Sequence, residues 1–307
     1  MQSTYLRSKF LSILFFVVLQ YNVYAQDDLL NMLDTIPAKS ERVLATFKTT
    51  RIVNGHSVET VKARHLDFRV THHFGDAGGA NGGFHSMYGL DQAADIRIAF
   101  EYGISERLTA GIGRSKIGEL FDGYLKYRLL FQTEDNKIPV SLTLFANTAV
   151  TAIEGNGTPY QEDFLNRLSY TYQVLLARKF SSRFSLQLMP AYLHRNYVSD
   201  ANDENDLFVL GGGARLKLSK RFALLADYYF IFSKYRMDNN DIYFPPLGLG
   251  LEIETGGHVF HLFFTNNPAI VENTYFAQST DSWSKGQMKL GFNISRTFGI
   301  GKKSRMK

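Results

Sequence analysis

FALLADYYFIF, Phe222 to Phe232, sorts its residues by parity. Phe222, Leu224, Ala226, Tyr228, Phe230 and Phe232 fall on one face, and Ala223, Leu225, Asp227, Tyr229 and Ile231 on the other, which is the period of a β-strand between two different surroundings. The first face suits only lipid or a protein core. A soluble sandwich also alternates, turning its apolar face toward a second sheet. Strand length decides for lipid: LNRLSYTYQVLLARKF and IPVSLTLFANTAV exceed the roughly 5–6 residues of an average soluble strand and reach the ~9–11 that cross a bilayer at a tilt.

The same alternation recurs along the chain. In HLDFRVTHHF, Leu66, Phe68 and Val70 oppose Asp67, Arg69, Thr71 and His73. In ADIRIAFEYGI, Ile96, Ile98, Phe100 and Tyr102 oppose Asp95, Arg97 and Glu101. Further strands are predicted at about 107–116, 119–132, 138–152, 165–180, 184–198, 206–219, 222–236, 243–256, 258–266 and 286–298. That makes about twelve, an even number suited to a closed barrel. The connections alternate between tight (ISERL, QTEDNKIP, FSSRF, LSKRF, ETGGH) and long (GDAGGANGGFHSMYGLDQA, IEGNGTPYQEDF, SDANDEN, MDNND, NNPAIVENTYFAQSTDSWSKG), with a brief IGE as the exception. Short periplasmic turns and long extracellular loops are the outer-membrane pattern. Three tight turns share one word, apolar-Ser-x-Arg-apolar, with Arg107, Arg183 and Arg221 placed two hairpins and then one hairpin apart. Tyr102, Tyr127, Phe131, Phe184, Phe222, Phe264 and Phe298 sit toward the ends of outward stripes, where interfacial aromatic girdles belong. Pro190 inside a strand removes a ladder donor and predicts a bulge or kink.

The fold class expected is therefore all-β: a closed antiparallel transmembrane β-barrel. Residues 1–25 read as a signal peptide, with Arg7 and Lys9 before FLSILFFVVL and cleavage before Gln26. Residues 26–64 form an N-terminal periplasmic or lumen-plugging segment, beginning with the helix-like DDLLNMLD. Its part VLATFKTTRIVNGHSVETVKAR carries a hairpin signal at Asn54-Gly55 and is polar on both faces, so it has no place in lipid. Residues 65–298 are the barrel, and 299–307 a polar periplasmic tail after a closing strand that ends on Phe298.

Composition excludes several alternatives. The net charge is +5, and loss of Arg7 and Lys9 leaves +3, too little and too interleaved for a nucleic-acid footprint. Cysteine is absent, which rules out disulfides, thiolate metal sites and thiol lipidation. No cofactor is expected. His72 and His73 lie on opposite strand faces and His85 in a Gly-rich loop, so they do not converge on a metal. His72 and His194 lack the serine motif a lipid hydrolase would need; that enzyme is the third expectation, and the chain is read as a non-enzyme. GGANGG and Gly211 to Gly213 lack the strand-to-helix context of a phosphate site and read as a flexible loop and a place of bending or close packing.

ATFKTTRIVNGHSVET, HLDFRVTHHFG, the Gly-rich loop and HSMYGLDQAADIRIAFEYGISERLTAGIGRSK together resemble an uncharacterised, domain-of-unknown-function family of Gram-negative, Bacteroidota-type outer-membrane β-barrels. The resemblance implies architecture and an outer-membrane location, and no activity.

Parity sends a set of charged residues into the lumen: Asp67, Arg69, Asp95, Arg97, Glu101, Asp122, Lys126, Arg128, Arg167, Arg215, Lys217, Asp227, Glu252 and Glu254. In so narrow a barrel these either pair with one another and fill the space or line a small polar pore. The functional expectation is a narrow pore or uptake channel for a small polar solute. The alternative is a non-conducting barrel acting as envelope anchor, receptor or complex partner. Expected partners are outer-membrane lipid, a small polar solute and, under the alternative, an envelope protein.

Overall fold

The computed structural model describes residues 41–153, 163–256 and 258–300. The signal peptide, the DDLLNMLD segment, the middle of the IEGNGTPYQEDF loop and the tail beyond Ile300 lie outside them. Twelve antiparallel strands run β1 (His65–Asp76), β2 (Ala93–Gly103), β3 (Leu108–Ser115), β4 (Leu120–Leu130), β5 (Ser141–Thr151), β6 (Leu168–Lys179), β7 (Phe184–Arg195), β8 (Asp206–Lys217), β9 (Phe222–Phe232), β10 (Leu247–Thr255), β11 (His258–Thr265) and β12 (Lys289–Gly299). Each pairs with its sequence neighbours, and β1 pairs with β12, from His65 opposite Gly299 to His72 opposite Phe292, closing the ring. Closure removes the two exposed sheet edges, the only way a sheet can stand in hydrocarbon without unpaired backbone groups.

The Ser-x-Arg turns have one shared geometry. In each, the serine Oγ accepts the backbone N–H groups two and three residues on: Arg107 and Leu108 for Ser105, Arg183 and Phe184 for Ser181, Arg221 and Phe222 for Ser219, all at 3.0–3.2 Å. The side chain thus replaces a ladder partner where the chain reverses. The arginine carbonyl then accepts an N–H from the following strand, that of Arg128, Lys217 or Glu254, at 2.7–2.8 Å.

Parity holds around the wall. Phe222, Leu224, Tyr228, Phe230 and Phe232 are exposed on the outer surface, while Ala223, Leu225, Asp227 and Tyr229 are buried. At Pro190 the expected bulge does not form. Gln173 still faces Ala191 and Leu176 still faces Leu188, so the register carries through and only the intervening β6–β7 pairs are lost. β10 begins at Leu247 rather than near 243, because Pro245 and Pro246 have no N–H for the ladder and Phe244 donates its own to the Ser279 carbonyl.

Two further expectations change in detail. The Gly-rich loop is tied down, with Ala77 and Gly78 donating to the carbonyls of Met288 and Gly286. The hairpin expected at Asn54-Gly55 reverses one residue earlier, at Val53-Asn54: Arg51 bridges to His56 and the Ile52 N–H donates to the Gly55 carbonyl.

An outward position at mid-strand should tolerate no charge. Leu188→Arg, on the exposed face of β7, is expected to cost about 2–4 kcal/mol in urea unfolding from lipid vesicles.

Candidate functional site: the barrel interior

Of the fourteen charged residues assigned to the lumen, eleven are buried: Asp67, Arg69, Asp95, Arg97, Glu101, Asp122, Lys126, Arg128, Arg215, Asp227 and Glu252. Arg167, Lys217 and Glu254 are half-buried near the strand ends. Some of the buried charges pair within the wall, on one strand, between neighbours or across an intervening strand. Arg97 grips Asp122 through Nε and Nη2 at 2.9 and 2.6 Å, and Arg215 reaches Glu252 at 2.6 Å. Arg69 lies 3.1 Å from Asp67 and 3.6 Å from Glu101.

Asp95 accepts Ser115 Oγ and the N–H groups of Lys116 and Ile117, while Lys126, Arg128 and Asp227 are turned toward the chain's own N-terminal segment. Residues 46–58 are hydrogen-bonded to inward side chains of β1, β2, β4, β5, β7, β9 and β11, all around the ring, and so lie within it. The chain enters on the short-turn side, where Arg42 pairs with Glu106, the Val43 N–H donates to the Gln132 carbonyl, and Lys48 pairs with Glu254. On the rising arm Thr50 donates to Glu101 at 2.6 Å and accepts from Arg69 at 2.9 Å. On the descending arm Gln187 clasps the His56 carbonyl and the Val58 N–H, Thr143 donates to the Val58 carbonyl, and Lys126 donates to the carbonyls of Ser57 and Glu59. Arg128 then pairs with Glu59 at 2.8 Å.

Asp227 organises the tip. Its Oδ2 accepts the N–H groups of Val53, Asn54 and Gly55 at 3.1, 2.7 and 3.0 Å, and its Oδ1 accepts Asn54 Nδ2 at 2.7 Å. Three successive amides converging on one carboxylate form a backbone anion nest. Here the anion is part of the barrel wall. Thr265 completes the seat by donating to Asn54 Oδ1 at 2.8 Å. Glycine is required on both sides of this contact. A Cβ on Gly55 would stand 1.6 Å from Tyr229 Oη, and one on Gly248 would stand 2.5 Å from Val53 Cγ1. Gly213 likewise makes room for Ile52, which accounts for part of the glycine run in β8.

A second element reaches the tip from the opposite mouth. NNPAIVENTYFAQSTDSWSKG, expected as an extracellular loop, folds inward over its first half. Ala269, Ile270, Val271, Glu272, Tyr275 and Phe276 are buried, with the Ile270 N–H donating to Asp95 at 3.1 Å. Its Glu272 lies 3.0 Å from Arg51 of the hairpin, and both side chains are almost fully enclosed. Tyr229 packs against Tyr275 and Phe276 beside the same point. Burying two charges is offset only when each finds its partner, so this pair fixes how the hairpin and the loop meet. His56, beside them, is held well below its usual pKa of 6.5, first by burial and then by Arg51 and Lys126.

The charged candidates left out the neutral wall residues that hold the hairpin. Thr109, Thr143, Gln187 and Thr265 are neutral inward residues, and parity would have found them had polar positions been counted along with charged ones. Arg51 and Glu59 were visible as charges in a segment polar on both faces. The histidines scatter as parity requires. His72 faces outward against Phe74 and Phe292, His73 faces inward and bonds the Asn267 carbonyl, and His85 is exposed. His194 pairs with Asp206 on the outer surface at 2.6 Å.

Residues 47–298 match the family described as membrane bound beta barrel domain (DUF5777). The chain belongs to this family. With a sealed ring and a greasy outer wall, this member of the family is an outer-membrane β-barrel of a Gram-negative bacterium. Among solved structures it is similar to the NanC porin in its rhombohedral crystal form, at 10% identity and TM-score 0.45 over 76% of this chain and 98% of that one. It is also similar to the COG4313 outer membrane channel from Pseudomonas putida F1, at 13% identity and TM-score 0.45 over 80% and 100%, and to the KdgM porin, at 7% and 0.44 over 76% and 99%. A comparison with curated proteins finds no match.

The Asp227 clasp gives a direct expectation. The chain has no cysteine, so Ser57→Cys places a single thiol on the hairpin. Asp227→Ala in that background should raise its labelling rate by a water-soluble maleimide at least tenfold, since even one charged hydrogen bond of about 1.5–3 kcal/mol corresponds to that factor.

Proposed function

We propose that this barrel is a channel for a small polar solute that its own N-terminal hairpin holds closed at rest. The observation that carries the reading is the division of labour among the lumenal charges. Asp227, Glu101, Lys126 and Arg128 are used by the hairpin, through contacts to backbone atoms or single side chains that stand beside the apolar seat of Phe47, Ile52, Val53 and Val58. Such contacts can be exchanged for water one by one when the segment leaves. A wall meant to stay filled is served as well by apolar packing, without the desolvation cost of ions. With the hairpin out, the same residues become a lumenal surface of both signs, suited to a small polar or zwitterionic solute.

The Arg51–Glu272 pair supports a second element of the reading. Because Glu272 belongs to the long-loop side and Arg51 to the short-turn side, a change at either mouth alters the hold on the hairpin.

The competing reading, a non-conducting anchor or receptor, is favoured by the same closure seen from both mouths. Planar-bilayer recording separates the two. The full chain should be silent or open rarely, and a chain lacking residues 43–64 should conduct steadily. Silence from the shortened chain, folded by heat-modifiable gel mobility, would leave the anchor reading standing.

A further inference from the structure

His56 of the hairpin is held by its backbone and merely housed by its ring. Its carbonyl accepts from Gln187 at 2.7 Å. The imidazole lies against Phe145, with centroids 4.3 Å apart and planes at 39°, and meets Tyr124 edge-on at 4.9 Å. The ring is fully buried and neither nitrogen makes a hydrogen bond, the Glu272 carboxylate standing 3.8 Å from Nε2.

The wall around that ring is unsatisfied in the same way. Register sets two lumenal rows side by side on β4, β5 and β6: Tyr124, Asn147 and Thr171 in one, Lys126, Phe145 and Gln173 in the next. Lys126 is satisfied by hairpin carbonyls. Asn147 Oδ1, Thr171 Oγ1 and both Nε2 and Oε1 of Gln173 are buried, and among the described residues none of them has a hydrogen-bond partner. Buried polar atoms are nearly always partnered, because leaving one unpaired forfeits its hydration for nothing. So dense a group on one patch points to a ligand other than the hairpin.

We propose that this β4–β6 patch is the recognition site for the solute, and that the solute carries a planar nitrogen heterocycle with a donor and an acceptor side by side on one edge, as purine and pyrimidine bases do. The inference rests on the reading that the hairpin leaves the lumen. His56 is then the flat ring that the solute replaces. Phe145 offers a face for stacking, and Gln173, its register partner, presents a free donor and a free acceptor together, the arrangement by which a side-chain amide reads an adenine edge. Asn147 and Thr171 meet the solute's remaining polar groups. Ring and solute cannot share the seat, so bound solute favours the displaced hairpin.

The test is maleimide labelling of the full chain carrying Ser57→Cys, with adenosine or D-glucose added. Adenosine should raise the labelling rate saturably by about fivefold or more, the low end of ordinary coupling between ligands, and glucose should leave it unchanged. Gln173→Leu should abolish the adenosine response. Saturation-transfer NMR on the full-length Asp227→Ala protein gives a second readout that needs no wall substitution: the base protons of adenosine should be saturated and those of glucose should not. No effect of adenosine in a protein whose labelling Asp227→Ala does raise, an equal effect of glucose, or an undiminished response in Gln173→Leu would each overturn the assignment. If Asp227→Ala itself fails to raise labelling, the departing hairpin falls and this site with it.

Discussion

The interior of this protein depends on one carboxylate. Asp227 stands on β9 in the only stretch of that strand's inner face that is not apolar, and it is satisfied by three backbone amides and one side-chain amide of the hairpin. An isolated carboxylate buried on this face between Leu225 and Tyr229 would cost several kcal/mol. The hairpin tip removes that cost, and in return its own amides, which no sheet could satisfy at a reversal, find an acceptor. Each partner is unfavourable without the other.

From that contact the remaining geometry follows. Seating Val53 and Asn54 against Gly248 and Gly55 against Tyr229 fixes the depth of the hairpin, which sets Thr50 against Glu101 and the carbonyls of Ser57 and Glu59 against Lys126. Depth also places Arg51 where the inward-folded loop delivers Glu272. A ring of twelve strands is too wide to be filled by its own wall side chains alone and narrow enough for one two-armed segment to fill it.

Much of the wall was legible in the sequence because a membrane imposes a period of two. Outward residues such as Phe222 to Phe232 had to be apolar, and the Ser-x-Arg turns carried their own hydrogen-bonding logic. At Pro190 the lost donor was legible and the expected bulge does not form, because a missing N–H need not add a residue to a strand; the ladder loses bonds and keeps its register. The interior was less legible. Lumenal charges announce that something pairs with them, yet nothing local says whether the partner is a strand two places along the wall, as for Arg97 and Asp122, or a segment far along the chain, as for Asp227 and Asn54. The inward fold of residues 269–277 was hidden for a similar reason. Its apolar residues are ordinary in a loop until Tyr229 and the hairpin supply a surface for them.

Hydrogen–deuterium exchange on the full chain in lipid nanodiscs tests the central claim most directly, by following the peptide that covers residues 46–58. A seated hairpin predicts that the amides of Val53, Asn54 and Gly55 exchange as slowly as those of β9, and quickly once Asp227 becomes alanine. Exchange at the rate of an exposed loop in the unaltered protein would contradict the account.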